Sequence, residues 1–213
     1  MTELPDGWTE ASLGAVTQPI TDSVKPAEAD PRSFLGMEDV EPESTKILGT
    51  QPAAGIRSNT RPFFLGDTLY GRLRPYLNKV CTPDFEGLAS AEFMVFRPSP
   101  SLVPGFLKYF LNSQSFVRFA CSVNDGDRPR VKWNQIEAFP LLLPPLTEQG
   151  RIVDAIKEIF TRLDVIEPAL EGLLERLGVL RSAILADTFH ANRDLPDGWE
   201  ETTLEDLAAS AKR

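Results

Sequence analysis

The segment FFLGDTLYGRLRPYLNKV, residues 63–80, sets Arg72, Arg74 and Lys79 among Tyr70 and Tyr76. Arginine carries a rigid fork of donors that suits phosphate oxygens and guanine edges alike. With Arg57 and Arg61 upstream, residues 57–80 hold five basic side chains against one acidic, Asp67, a net of +4. Arg128, Arg130 and Lys132 form a second basic group around the loop NDGDRPR. These eight cations are candidate phosphate contacts, and Asn59, Asn124 and Gln135 are candidates for base edges. The competing reading pairs the same cations with the carboxylates of an acidic chain, whose net charge is -9. Charge alone leaves both readings open. A local basic face can hold phosphates on such a protein, although long-range steering would be weak.

Catalytic chemistry is harder to place. His190 is the single histidine, so no Ser-His-Asp set can be built without it. A lone histidine near a helix end more often caps carbonyls than catalyses. Neither GxxxxGK[ST] nor GxGxxG occurs. Two cysteines, Cys81 and Cys121, with one histidine do not make a standard zinc site. They fit buried thiols in a reducing, cytoplasmic setting. The longest apolar stretch, FPLLLPPL, is too short for a bilayer, and MTELPDGW is not a signal peptide. The weight moves to binding.

Three zones would carry these residues. Residues 1–146 read as one α+β globular domain. Its short β-rich runs, RSFLGMEDV, TLYGRL, NKVCT and EFMVFRP, are bounded by turn residues. FLGMEDV, residues 34–40, reads as core strand and not as a reader of DNA. A helical patch is expected to start at Pro104 and run through GFLKYFLN, and a second to follow in SQSFVRFACS.

Residues 147–190 read as one long helix after Pro144 and Pro145, with Thr147 as its N-cap and Glu148 in its first turn. Apolar residues recur at Ile152, Ile156, Ile159, Leu163, Ile166, Leu170, Leu173, Leu177, Leu180 and Ile184. Their gaps alternate four and three, the a/d seam of a coiled coil. A single amphipathic helix lying on its own domain is the plainer alternative. The narrow stripe and a length of about 65 Å favour a helix–helix seam. Pro168 falls at an outward position, where a bend or short break is expected.

Residues 191–213 repeat the start of the chain. LPDGWTEASL, residues 4–13, recurs as LPDGWEETTL, residues 195–204. The motif is a turn in which Asp-Gly accepts unusual dihedrals while Leu and Trp bury. Thr203 with Asp206 resembles a capping box. Seven identities in ten positions make this a real internal repeat.

GDTLYGRLRPYLNKV, AEFMVFRP, the junction LPPLTEQGRIV and the repeated LPDGW resemble the DNA-specificity subunits of type I restriction–modification systems. The resemblance covers nearly the whole chain. It implies a target recognition domain followed by a long helix, with that unit repeated. The two helices would pack antiparallel, each domain reading one half of a bipartite site in double-stranded DNA. It also implies a non-catalytic subunit without cofactors of its own. Methyltransferase and restriction subunits would bring S-adenosylmethionine, ATP and magnesium, and the acidic helix and PPLTEQ junction would dock the methyltransferase.

This chain departs from the full pattern, with one recognition domain, one long helix and the start of a second repeat. It therefore resembles a half-length subunit, which would complete its seam with a second copy as a homodimer. The C-terminal repeat would pack as the N-terminal one does. Two further alternatives stay open at this point: a dimeric adaptor that binds no DNA, and a recognition segment split from a fused restriction–methyltransferase. An enzyme built on unrecognised carboxylates is a weaker third.

Overall fold

The structure, a computed structural model, describes residues 4–103, 105–123, 126–189, 200 and 202–204. The chain divides into two compact units, Met1–Lys157 and Glu158–Arg213.

The first unit is α+β. Strand β1 (Thr9–Ser12) leads into a one-turn helix, α1 (Leu13–Val16). Then come β2 (Ser33–Leu35), β3 (Gln51–Pro52), β4 (Thr60–Phe63) and β5 (Thr68–Gly71). A 3-10 turn over Pro75–Leu77 precedes β6 (Val80–Cys81), β7 (Gly87–Ser90) and β8 (Phe93–Phe96). Helices α2 (Phe106–Asn112), α3 (Gln114–Ser122) and α4 (Trp133–Ile136) follow, then β9 (Pro140–Leu143). The long helix α5 (Leu146–Phe189) begins here.

The strands form a four-stranded sheet ordered β3-β2-β7-β4, a three-stranded sheet ordered β6-β5-β8, and the pair β1-β9. Pro62 lies inside β4, where a proline cannot donate to a ladder. The edge position of β4 accommodates it. β2 and β7 run parallel, Ser33 opposite Gly87. A β-carbon on Gly87 would lie 2.5 Å from the Ser33 carbonyl oxygen, so the close approach of these strands needs glycine.

One hydrophobic core gathers Leu13, Tyr70, Phe96, Phe106, Phe116 and Leu141, together with Val153 from the start of α5. Tyr70 meets Phe116 edge-on at 5.4 Å, and Phe116 meets Phe139 at 5.3 Å. A second core, drawn from both the four-stranded and the three-stranded sheets, holds Leu35, Phe63, Leu69, Cys81, Phe93 and Val95.

Several expected elements are shorter than the sequence suggests. Of RSFLGMEDV only Ser33–Leu35 is strand. Gly36 N donates to Asp39 Oδ2 at 2.7 Å, and this turn competes with the ladder. Helix α2 starts at Phe106 after Gly105, which sits at φ 89, and the expected start at Pro104 lies outside the described residues. Ser113 separates the two helical patches by capping α3, its hydroxyl accepting from Phe116 N at 3.4 Å.

Thr147 is not the N-cap of α5. Pro145 supplies the carbonyl that accepts from Glu148 N and Gln149 N, both at 2.9 Å, which moves the start one residue upstream. Pro168 does not interrupt α5, which is helical through it.

The first LPDGW is a turn. Gly7 adopts φ 78, and Trp8 N donates to Pro5 O at 3.0 Å. The β1-β9 ladder pairs Thr9 with Leu143 and so brings this turn against Pro145. A β-carbon on Gly7 would stand 2.9 Å from Pro145 Cγ. Burial is partial, since Leu4 is 38 % exposed and Trp8 half-buried. The second LPDGW, His190 and Asp206 lie outside the described residues.

Candidate nucleic-acid interface

The turn Gly66–Asp67 sends the chain into β5, and β5 ends at Gly71, so Arg72 emerges at the strand's edge. Residues 72–74 then pair with 129–131 in a narrow ladder. Val131 N donates to Arg72 O at 2.9 Å and Arg74 N to Pro129 O at 2.8 Å. This ladder sets residues 72–74 of the first basic group beside residues 129–131 of the second. Arg61, Arg72 and Lys132 line the same cavity, of about 170 Å³, with Trp133, Phe93 and Thr21.

The individual cations differ in availability. Arg57, Arg74, Arg128 and Lys132 are exposed and have no side-chain partner among the described residues. Arg74 also holds φ 52, a left-handed conformation that costs about 1 kcal/mol or more in a non-glycine residue. Arg61 Nη1 donates to the carbonyls of Thr21 and Asp22 at 2.6 and 3.0 Å. Arg72 Nε approaches Glu92 Oε2 at 3.4 Å, while Arg130 grips Glu92 with two bonds of 3.1 and 2.7 Å.

Lys79 is only 8 % exposed, and its ammonium donates to Met37 O at 2.6 Å. It ties a loop to the sheet and offers no free cation to solvent. Asp67, the single acid of this segment, is buried, accepts from Phe64 N at 2.9 Å and lies 3.8 Å from Arg97. Burial raises its pKa, against the pull of that N–H and of Arg97.

Of the candidate base contacts, Asn59 is exposed and without a partner among the described residues. Gln135 is engaged at both ends, its oxygen accepting from Lys132 N at 2.8 Å and its amide donating to Val123 O at 2.8 Å. It fixes the start of α4 and leaves no free edge. Asn124 lies outside the described residues.

Sequence reasoning missed Glu92, whose placement between two arginines depends on a long-range ladder. It also missed a second cavity, of about 740 Å³, whose wall includes Tyr76, Asn78, Asn112, Gln114 and Arg118. Asn78 Oδ1 and Asn112 Nδ2 are buried there without a partner.

The seam of α5 divides in two. Ile152 packs against the first unit's core, and Ile156 is half-buried. From there Ile159, Leu163, Ile166, Leu170, Leu173, Leu177, Leu180 and Ile184 are each between 51 and 58 % exposed. No three His, Cys, Asp or Glu side chains gather as a metal site among the described residues, and no helix there is long and apolar enough to cross a membrane.

No protein-family model matches the chain. The type I restriction enzyme EcoDI specificity subunit of Escherichia coli is 25% identical over 189 residues, 87% of this chain and 42% of that one. The crystal structure of the HsdS subunit from Thermoanaerobacter tengcongensis superposes with a TM-score of 0.69 at 26% identity, over 93% of this chain and 54% of that one. The chain is similar to type I restriction specificity subunits.

The StySPI specificity subunit of Salmonella potsdam is 29% identical over 109 residues, half of this chain and 23% of that one. A further structure, from work on complex assembly and conformational transition of the type I R-M system, gives a TM-score of 0.80 at 24% identity. It covers 97% of this chain and 56% of that one, and shows the shared fold. The chain spans about half or less of the length of the specificity subunits it matches. Its fold is α+β with a long C-terminal helix, as the resemblance implied.

Proposed function

We propose that this chain is the sequence-recognising component of a type I restriction–modification complex. It has no catalytic role and no cofactor of its own. It binds double-stranded DNA through the surface around Arg72 and directs methyltransferase and restriction subunits to the site. S-adenosylmethionine, ATP and magnesium would act on those partners. Residues 1–146 form the target recognition domain. The carrying observation is the convergence of Arg61, Arg72 and Lys132 on one cavity, in a fold shared with specificity subunits. Arg57, Arg74 and Arg128, exposed and without a side-chain partner among the described residues, are further candidates to meet phosphates.

Residues 147–190 pair with the same helix of a second copy as an antiparallel coiled coil, giving a C2 homodimer with two identical readers. Eight seam residues are half exposed in the single chain. Completing the burial of each contributes about 1 kcal/mol, so two copies together gain roughly 16 kcal/mol. That offsets an association cost on the order of 4–15 kcal/mol.

Of the PPLTEQ residues, Gln149 is buried and fixes the helix start, so methyltransferase docking falls to the exposed Thr147 and the acidic face of α5. The test of the reading is a salt-titrated binding assay on random-sequence duplex, with and without a type I methyltransferase subunit. Binding that weakens steeply with salt and tightens with the partner supports it. No binding in either arm overturns it and favours an adaptor.

A further inference from the structure

We propose that Glu92, itself an acid, is the positioning residue of the DNA-facing surface. This rests on the DNA-binding reading above. Its two carboxylate oxygens accept from Arg130 Nη2 at 2.7 Å and Nε at 3.1 Å, a fork-on-fork geometry, and Arg72 Nε approaches the same carboxylate at 3.4 Å. The Glu92 backbone carbonyl also accepts from Arg72 N at 2.9 Å. Its neighbours Ala91 and Phe93 line the cavity shared by Arg61, Arg72 and Lys132. Glu92 thus stands where β7 turns into β8 and holds one arginine from each of the two basic segments.

Without it, two like charges from different segments would repel, and the 126–130 loop would keep only its backbone ladder to residues 72–74. With it, both guanidinium groups are set before DNA arrives, and little rotamer freedom remains to be lost on binding. A surface salt bridge with no further role does the opposite. It subtracts positive charge from a phosphate-binding face, so its removal should tighten binding. Positioning and plain charge therefore give effects of opposite sign.

The experiment compares the full-length parent with Glu92→Gln, Arg130→Lys and a control, Glu86→Gln, an exposed acid without a partner among the described residues. The probe is a random-sequence duplex pool, read by salt-titrated affinity and by the sequences enriched in the bound fraction, with thermal melts alongside. Positioning requires Glu92→Gln and the charge-conserving Arg130→Lys each to bind about tenfold more weakly and to blur the enriched sequence, while Glu86→Gln binds as well as the parent or slightly tighter. If Glu92→Gln binds as tightly as Glu86→Gln with the same enrichment, positioning is overturned and DNA binding stands. Should Glu92→Gln fail to fold, Arg130→Lys decides alone, and its unchanged enrichment overturns the proposal. A parent that binds no duplex, with or without a type I methyltransferase subunit, overturns the DNA reading and this proposal with it.

Discussion

Gln149 accepts a hydrogen bond from the backbone N–H of Val103 at 2.9 Å, and its amide donates to Ser101 O and Pro144 O, both at 3.0 Å. With 1 % exposure, this side chain locks the first turn of α5 to the 101–103 loop of its own unit. Gln149→Ala removes the partner of the Val103 N–H and of the Ser101 and Pro144 carbonyls, the last of them buried, and should cost about 1–3 kcal/mol. The check is a thermal melt. A variant melting within a degree of the parent contradicts this role.

Arg72 and Arg74 belong to the proposed DNA-binding surface, whereas Lys79 is buried on Met37 O. Replacing both arginines with alanine should weaken binding to all sequences and lower the salt slope by about 2. Lys79→Met should leave the slope unchanged and instead alter the melting temperature. Salt-titrated affinities on one duplex separate the two outcomes. An unchanged slope in the double variant would return those arginines to a structural role.

Cys81 is fully buried, and burial pushes its thiol from 9.0 to about 12. Below pH 9 the folded and unfolded states both hold the proton. Between 9 and about 12 the unfolded chain ionises and the folded one does not, so stability falls as pH rises through that window. In the native protein at pH 8.5, iodoacetamide should modify Cys121, which is half-buried, well before Cys81. Mass mapping reads this directly, and equal labelling would contradict the burial.

Leu163 and Leu177 are 51 % and 58 % exposed on the α5 stripe. Leu163→Asp with Leu177→Asp places charges in the proposed seam and should convert a dimer to a monomer in sedimentation velocity, with little change in the melt of the first unit. A parent that sediments as a monomer well above micromolar concentration removes the homodimer.

The elements legible in the sequence were those with local signals. Phe93–Phe96 and Thr68–Gly71 announce themselves by β-branched and aromatic runs, and α5 by its seam. β7, GLAS, has small residues and no alternation, and it forms because Gly87 lets β2 approach from far along the chain. β4 was hidden by Pro62, which an edge strand tolerates. The β1-β9 pair joins residues separated by most of the first unit, which no window can read. The candidate site was legible in composition but not in role. Charge marked Arg72 and Lys79 alike, and only burial and partners distinguish an edge cation from an interior one. Glu92 was invisible because its meaning lies in two arginines, one twenty positions upstream of it and one thirty-eight positions downstream.

Selection from a random duplex pool, using the full chain with a type I methyltransferase subunit, tests the central claim most directly. The bound fraction should enrich an inverted repeat with a spacer of fixed length, one half for each identical reader. Enrichment of a single half-site, or of no sequence at all, would contradict the account.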